Sequence, residues 1–223
     1  MKTLVIAPHP DDELLGCGGT LLRRKSDGST VGWLLMTSIS RETGWDASRV
    51  AQRAGEIESV RNGLGISIDH FFCLNHPTAH LERIPLFELV SQVGGVIKEY
   101  KPDEILIPFP GDIHSDHRIT FEAASACTKW FRYPTIKRVL AYETLSETNF
   151  GINPQGLGFN PTFFVDISEF LNDKLALMET YKSEIGSFPF PRSVQSLRAL
   201  AELRGSQVGV DAAEAFVLLR EHQ

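Results

Sequence analysis

A short, nearly continuous apolar run, Lys2–Ala7 (KTLVIA), gives way to a helix-type pattern, and this alternation recurs along most of the chain. Such a run predicts a central strand buried on both faces. A helix over Glu13–Lys25 follows, closed by the turn Ser26-Asp27-Gly28. Thr30–Thr37 reads as a second strand. Arg49–Leu64 reads as a helix with Val50, Ala54, Ile57, Val60 and Leu64 on one face and Gly65 just past its end. Strand and helix patterns recur at Asp69–Leu74, Leu86–Tyr100, Glu104–Pro108 and Ile119–Phe131, with Lys101-Pro102 stopping the third helix. Lys137–Thr144 and Thr162–Ile167 read as further strands, and the remainder from Ser168 as mostly helical apart from a break at Phe188–Pro191. Repeated strand–helix units imply a parallel sheet covered by helices on both faces. In such sheets functional groups gather beyond the C-terminal strand ends.

The 223 residues suit one domain, 1–223. No apolar run approaches the roughly 20 residues a membrane span requires. A formal charge of −6 argues against a nucleic-acid partner. The start, MKTLVIAPHPDDE, has too short an apolar core for a secretory leader, and Cys17, Cys73 and Cys127 form no CxxC pair. The expectation is a cytoplasmic protein with reduced thiols.

Two polar clusters stand out, each where a predicted strand runs out. In Pro8-His9-Pro10-Asp11-Asp12-Glu13, flanking prolines restrict the backbone around His9. Asp is a common helix cap, so one acid here has an ordinary structural reading. Two acids and a His exceed what a cap requires. His9 and Asp12, three positions apart, can aim at one point, and imidazole plus carboxylate suits a borderline ion such as Zn²⁺. Asp11 is then left as a free carboxylate beside the metal, where a general base would stand.

The second cluster, Gly111-Asp112-Ile113-His114-Ser115-Asp116-His117-Arg118, follows the fourth strand and opens a helix. His114 and His117 can face one cavity. One of them would complete a His/Asp/His ligand set with an open position, the arrangement of a catalytic rather than a structural zinc site. The metal would acidify its water, Asp11 would take the proton, and the spare His, if protonated, would stabilise the developing oxyanion.

With both motifs in view, the sequence resembles the PIG-L/LmbE-like family of zinc-dependent N-acetyl-sugar deacetylases. The HPDDE signature stands at His9–Glu13 and HxDH at His114–His117. Arg53–Glu56 with Leu64-Gly65, Val165–Ser168 with Lys174, and Ala213–Phe216 match further family segments. The resemblance implies a Rossmann-like three-layer α/β sandwich with a mostly parallel central sheet. It implies His9, Asp12 and His117 as metal ligands, Asp11 as general base and His114 as the cationic group on the tetrahedral intermediate. Asp116 would orient a neighbouring imidazole, and Arg53 would contact the sugar or a phosphate. An ion pair with Glu56 is the competing reading of Arg53. The implied cofactor is Zn²⁺, with Fe²⁺, Co²⁺ and Mn²⁺ also compatible with a His₂Asp site. The implied partner is a small-molecule N-acetyl sugar or its conjugate; a homo-oligomer is compatible with the sequence.

Two departures bear on mechanism. Asp112 stands where some members have a Tyr that helps hold the oxyanion, and Tyr181–Glu184 (YKSE) stands where many have Ser-Gln after a His or Tyr. His76 and His80 are expected in a loop after the third strand, one of them near substrate. The glycines Gly16, Gly18 and Gly19 are expected to permit close packing, Trp45 to be exposed near the pocket, and Ser146–Pro161 to be a cover or a plain surface loop. The competing function is a metal-dependent hydratase or lyase acting on a small carboxylate, which would want two or more arginines near the metal. A non-catalytic binding module is disfavoured, since every ligand and the base are present.

Overall fold

The computed structural model describes residues 1–152, 156 and 158–222. The strands are β1 (Lys2–Ala7), β2 (Thr30–Ser38), β3 (Phe71–Pro77), β4 (Glu104–Pro108), β5 (Arg138–Tyr142), β6 (Phe163–Asp166) and β7 (Ala213–Glu221). The helices are α1 (Asp12–Ser26), α2 (Ala47–Gly63), α3 (Leu86–Tyr100), α4 (Ser115–Ala126), α5 (Leu171–Met178) and α6 (Val194–Ser206). One sheet of order β3-β2-β1-β4-β5-β7-β6 holds all seven strands. The contiguous run β3 to β5 is parallel, and β7 lies antiparallel between β5 and β6.

Alternate side chains of the central strands feed two cores. Val5, Ala7, Leu35, Leu106 and Leu140 pack with α1, α2, α5 and α6 on one face. Leu4, Ile6, Leu34, Met36, Ile105 and Ile107 pack with α3 and α4 on the other. The expected three-layer, mostly parallel arrangement is therefore the one observed.

Three boundaries differ from the sequence reading. The C-terminal stretch expected to be helical contains β7. Ala213–Glu221 is rich in helix formers, but as a strand it pairs on both sides, and Ala213, Ala215 and Phe216 are buried there. Tertiary pairing outweighs local propensity. α4 begins at Ser115, not Ile119, because the His114 side chain caps it by accepting the Asp116 N–H. β3 runs on through Asn75-His76-Pro77 after an irregularity opposite Leu35–Thr37. The centre of the Ser146–Pro161 loop lies outside the described residues.

α1 is broken at Cys17, whose φ of −148° is not helical. The break frees the Gly19 and Thr20 N–H groups, and the Glu214 carboxylate accepts both, at 2.9 and 2.7 Å. Lys174 Nζ donates to the Leu15 carbonyl at 3.0 Å and to Glu214 at 2.7 Å. A buried Lys–Glu pair is thus inserted into the helix ladder. Gly16 and Gly19 let this helix lie close: an added Cβ would fall 2.2 Å from Tyr142 Cδ2 and 2.8 Å from the Ile167 side chain. Lys174→Met strands a buried carboxylate and is expected to cost about 3–5 kcal/mol. In thermal unfolding this is a fall in Tm of roughly 10 °C; a shift under about 2 °C would show that the pair does not hold the break.

Candidate active site

β1 and β4 are neighbours, and from them the chain proceeds to opposite sides of the sheet, through β2 and β3 one way and β5 the other. This is the switch point of an open parallel sheet, where a crevice forms beyond the C-terminal ends. The two clusters lie at those ends, and His9, Asp11, Asp12, His114 and His117 line one cleft of about 270 Å³. Thr37 secures the entry, donating its hydroxyl to the Pro8 carbonyl at 2.8 Å.

His9 Nδ1 and His117 Nε2 approach the same oxygen, Asp12 Oδ2, at 3.3 and 3.2 Å. One ligand-type atom from each of the three residues lies within 4.8 Å of the others. The far side of each ring meets a buried carboxylate. His9 Nε2 donates to Asp116 Oδ2 at 2.9 Å, and His117 Nδ1 to Asp112 Oδ2 at 2.8 Å. Asp116 is itself fixed by the N–H groups of Ala79 (2.7 Å) and Leu81 (3.0 Å), and Asp112 by the Thr148 hydroxyl at 2.6 Å. Imidazoles oriented in this way by outer carboxylates are the usual setting of metal ligands.

Burial alone would depress the two imidazoles. Hydrogen bonds donated to Asp116 and Asp12 outweigh it and raise His9 to about 9. The Asp12 charge, with hydrogen bonds donated to Asp112 and Asp12, raises His117 to about 10. Burial would likewise push Asp12 up, but the His117 charge and hydrogen bonds from both rings hold it far below the carboxylate range. Two protonated rings against one buried carboxylate is the charge pattern that a divalent cation on the same three atoms would replace, so this donor set fits Zn²⁺.

Asp11 is 3% exposed and has φ 137° and ψ −28°, a left-handed-side conformation that a non-glycine residue adopts at a cost of about 1–3 kcal/mol. Its N–H donates to Glu13 Oε2 at 3.0 Å, and Glu13 Oε1 accepts the Tyr181 hydroxyl at 2.9 Å. Arg192 Nη1 donates to Asp11 Oδ2 at 3.0 Å. Burial and the adjacent Asp12 push the Asp11 carboxyl up, with Arg192 opposing. His114 stacks edge-on against His9, centroids 4.5 Å apart. Its Nδ1 accepts the Asp116 N–H at 3.0 Å, so the ring is a neutral imidazole with its proton on Nε2, not the expected cation. Burial and the positive His9 and His117 lower its pKa to about 4.

Arg53 borders the cleft but is 7% exposed and heavily committed. It donates to the Pro10 carbonyl (3.0 Å), the Ser183 hydroxyl (2.8 Å) and Glu184, and its Nε lies 3.2 Å from Glu56. Trp45 is exposed on the cleft wall, as expected. His76 pairs with Gln92 and His80 with the Thr78 carbonyl, and neither lines the cleft. Sequence reasoning placed Glu13 and Asp112 in the two clusters without giving either a partner, and it missed Arg192 altogether. Asp112 had a local signal, five residues before His117. Arg192 had none, since its partner is 181 residues away.

Comparison with known proteins agrees with this architecture. Diacetylchitobiose deacetylase from Thermococcus kodakarensis is 28% identical, covering 96% of this chain and 82% of its own. The solved structure of the conserved protein TT1542 from Thermus thermophilus superposes with a TM-score of 0.77 at 29% identity, covering 99% of this chain and 96% of that one. GalB, the 4-carboxy-2-hydroxymuconate hydratase of Pseudomonas putida KT2440, shares the fold with a TM-score of 0.75 at 16% identity, covering 100% and 98%. The family model described as PIG-L, GlcNAc-PI de-N-acetylase, matches residues 4–128, which hold both clusters. The chain belongs to the PIG-L family.

Proposed function

We propose that this chain is a zinc-dependent N-deacetylase that removes an acetyl group from an N-acetylamino sugar or its conjugate. The observation that carries the reading is the convergence of His9, Asp12 and His117 beside Asp11 in one cleft. Bound there, a divalent cation supplies Lewis acidity, acidifying water and polarising the amide carbonyl. Asp11 takes the proton from the attacking water through Oδ1, which accepts no hydrogen bond among the described residues, and passes it to the leaving amine. His114 donates from Nε2 to the carbonyl oxygen as charge develops, a neutral donor in place of a cation. Asp116 orients His9, and Asp112 does the same for His117. Asp112 is therefore spent on an imidazole and gives the oxyanion no help. Arg53 holds the Pro10–Asp11 turn and pairs with Glu56, and its geometry favours that reading over direct sugar contact.

A hydratase acting on a dicarboxylate would need guanidinium groups free for substrate. Arg49, Arg53 and Arg192 reach the cleft, but each already faces Glu184. This favours the deacetylase. No helix among the described residues is long and apolar enough to cross a membrane. Cys17, Cys73 and Cys127 are unpaired, and we place the reaction in the cytoplasm with a small-molecule N-acetyl sugar as substrate, a homo-oligomer remaining compatible with the chain.

Acetate release by the Zn²⁺-loaded protein on free, nucleotide-linked and glycoside-linked N-acetyl sugars tests the proposal. Metal-dependent acetate from at least one class is expected. Silence on all three, with hydration of an unsaturated dicarboxylate instead, would transfer the assignment to the hydratase.

A further inference from the structure

We propose that Arg192 is a positioning residue for Asp11, and that the segment between α5 and α6 exists in part to aim that carboxylate. The inference rests on the deacetylase reading above. A carboxylate on a single Cβ turns easily about its last torsion, and a proton acceptor is useful only when one oxygen faces the reacting water. Asp11 is gripped at two points, and both grips lead to the same segment. Arg192 Nη1 engages Oδ2 alone at 3.0 Å, an end-on, charge-assisted bond that leaves Oδ1 for proton transfer. Glu13 takes the Asp11 N–H, and Glu13 is held in turn by the Tyr181 hydroxyl.

Arg192 is itself fixed rather than free to swing. Its Nη2 lies 3.5 Å from Glu184, and its guanidinium sits over the Phe190 ring, 5.7 Å from the centroid. Glu184 is shared with Arg53, whose Nη1 donates to Pro10, the residue before Asp11. The turn is thus tied on its main chain from α2 and on its side chain from the segment ending at Ser193. Without Arg192, nothing in this set opposes rotation of the Asp11 carboxylate away from its aim.

Arg192→Met and Arg192→Lys, assayed beside Asp11→Asn, test the assignment. Arg192→Met is expected to lower kcat about 10²-fold with KM changed less than about threefold. Zinc content should match the parent protein, and the fold should be retained. Arg192→Lys should recover part of kcat, and millimolar guanidinium should recover part in Arg192→Ala. Adding Arg192→Met to Asp11→Asn should cost nothing further, since the two act as a unit. An unchanged kcat, a rise confined to KM, or loss of zinc would each overturn the positioning role. If Asp11→Asn itself retained full acetate release, the base assignment would fall and this proposal with it. An inactive Asp11→Asn beside a fully active Arg192→Met would overturn the proposal for Arg192 alone.

Discussion

Asp11→Asn is expected to lower kcat for acetate release by about 10²–10⁴-fold, the range that a positioned general base contributes. The amide keeps the shape of the carboxylate and can still accept from Arg192, so the φ of 137° and the Glu13 tie should survive. What it lacks is an oxygen able to take a proton. KM and zinc content should therefore stay close to those of the parent, because Asp11 contributes neither to the His9–Asp12–His117 donor set nor to its outer carboxylates. Steady-state kinetics with metal analysis separates the cases. A parallel loss of zinc would make Asp11 a ligand, and an unchanged kcat would remove it from the chemistry.

The second large effect is that of the metal. Chelation is expected to reduce acetate release to background, and stoichiometric Zn²⁺ to restore it. Zinc should also raise Tm, since a ligand bound only by the folded chain adds about 2.7 kcal/mol of stability at a hundredfold excess over its Kd. The pH dependence has a definite sign. His9 and His117 have folded-state values of about 9 and about 10, above the ordinary 6.5 of histidine. In the metal-free protein their ion pairs therefore stabilise fully below pH 6.5, and that contribution is lost as pH rises through 9 and 10. The cation must displace those protons, so its affinity moves the opposite way, gaining about tenfold per pH unit for each proton displaced. The gap in Tm between zinc-loaded and zinc-free protein should widen from about pH 6 to pH 8. A gap that narrows over this range would show that these rings do not bind the ion.

The parts of the molecule legible in the sequence are those whose signal is local. KTLVIA, EILIP and the helix Leu86–Tyr100 carry their own periodicity and stops, and the structure has each with the expected bounds. Both clusters are visible because a parallel sheet puts chemistry at strand ends, whichever strands happen to be neighbours. Which strands those are is a matter of topology: β1 and β4 are about a hundred residues apart in sequence and adjacent in the sheet. The α4 start is hard to read since its polar first turn carries no apolar stripe and His114 caps it, where Ser, Thr, Asp or Asn would be the recognisable signal. The Asp116 bond to His9 spans 107 positions and the Arg192 bond to Asp11 spans 181, so no spacing rule reaches them.

The seating of β7 also ties a late segment of the chain to its first helix. Glu214 supplies the acceptors for Gly19 and Thr20 in the helix that begins at Asp12, and among the described residues β6 has no hydrogen-bonded neighbour in the sheet except β7. During synthesis the residues ahead of β7 emerge with that helix unrepaired and that strand unpartnered. A nascent chain that has released His9, Asp12 and His117 therefore still lacks the strand that completes both the helix and the sheet edge.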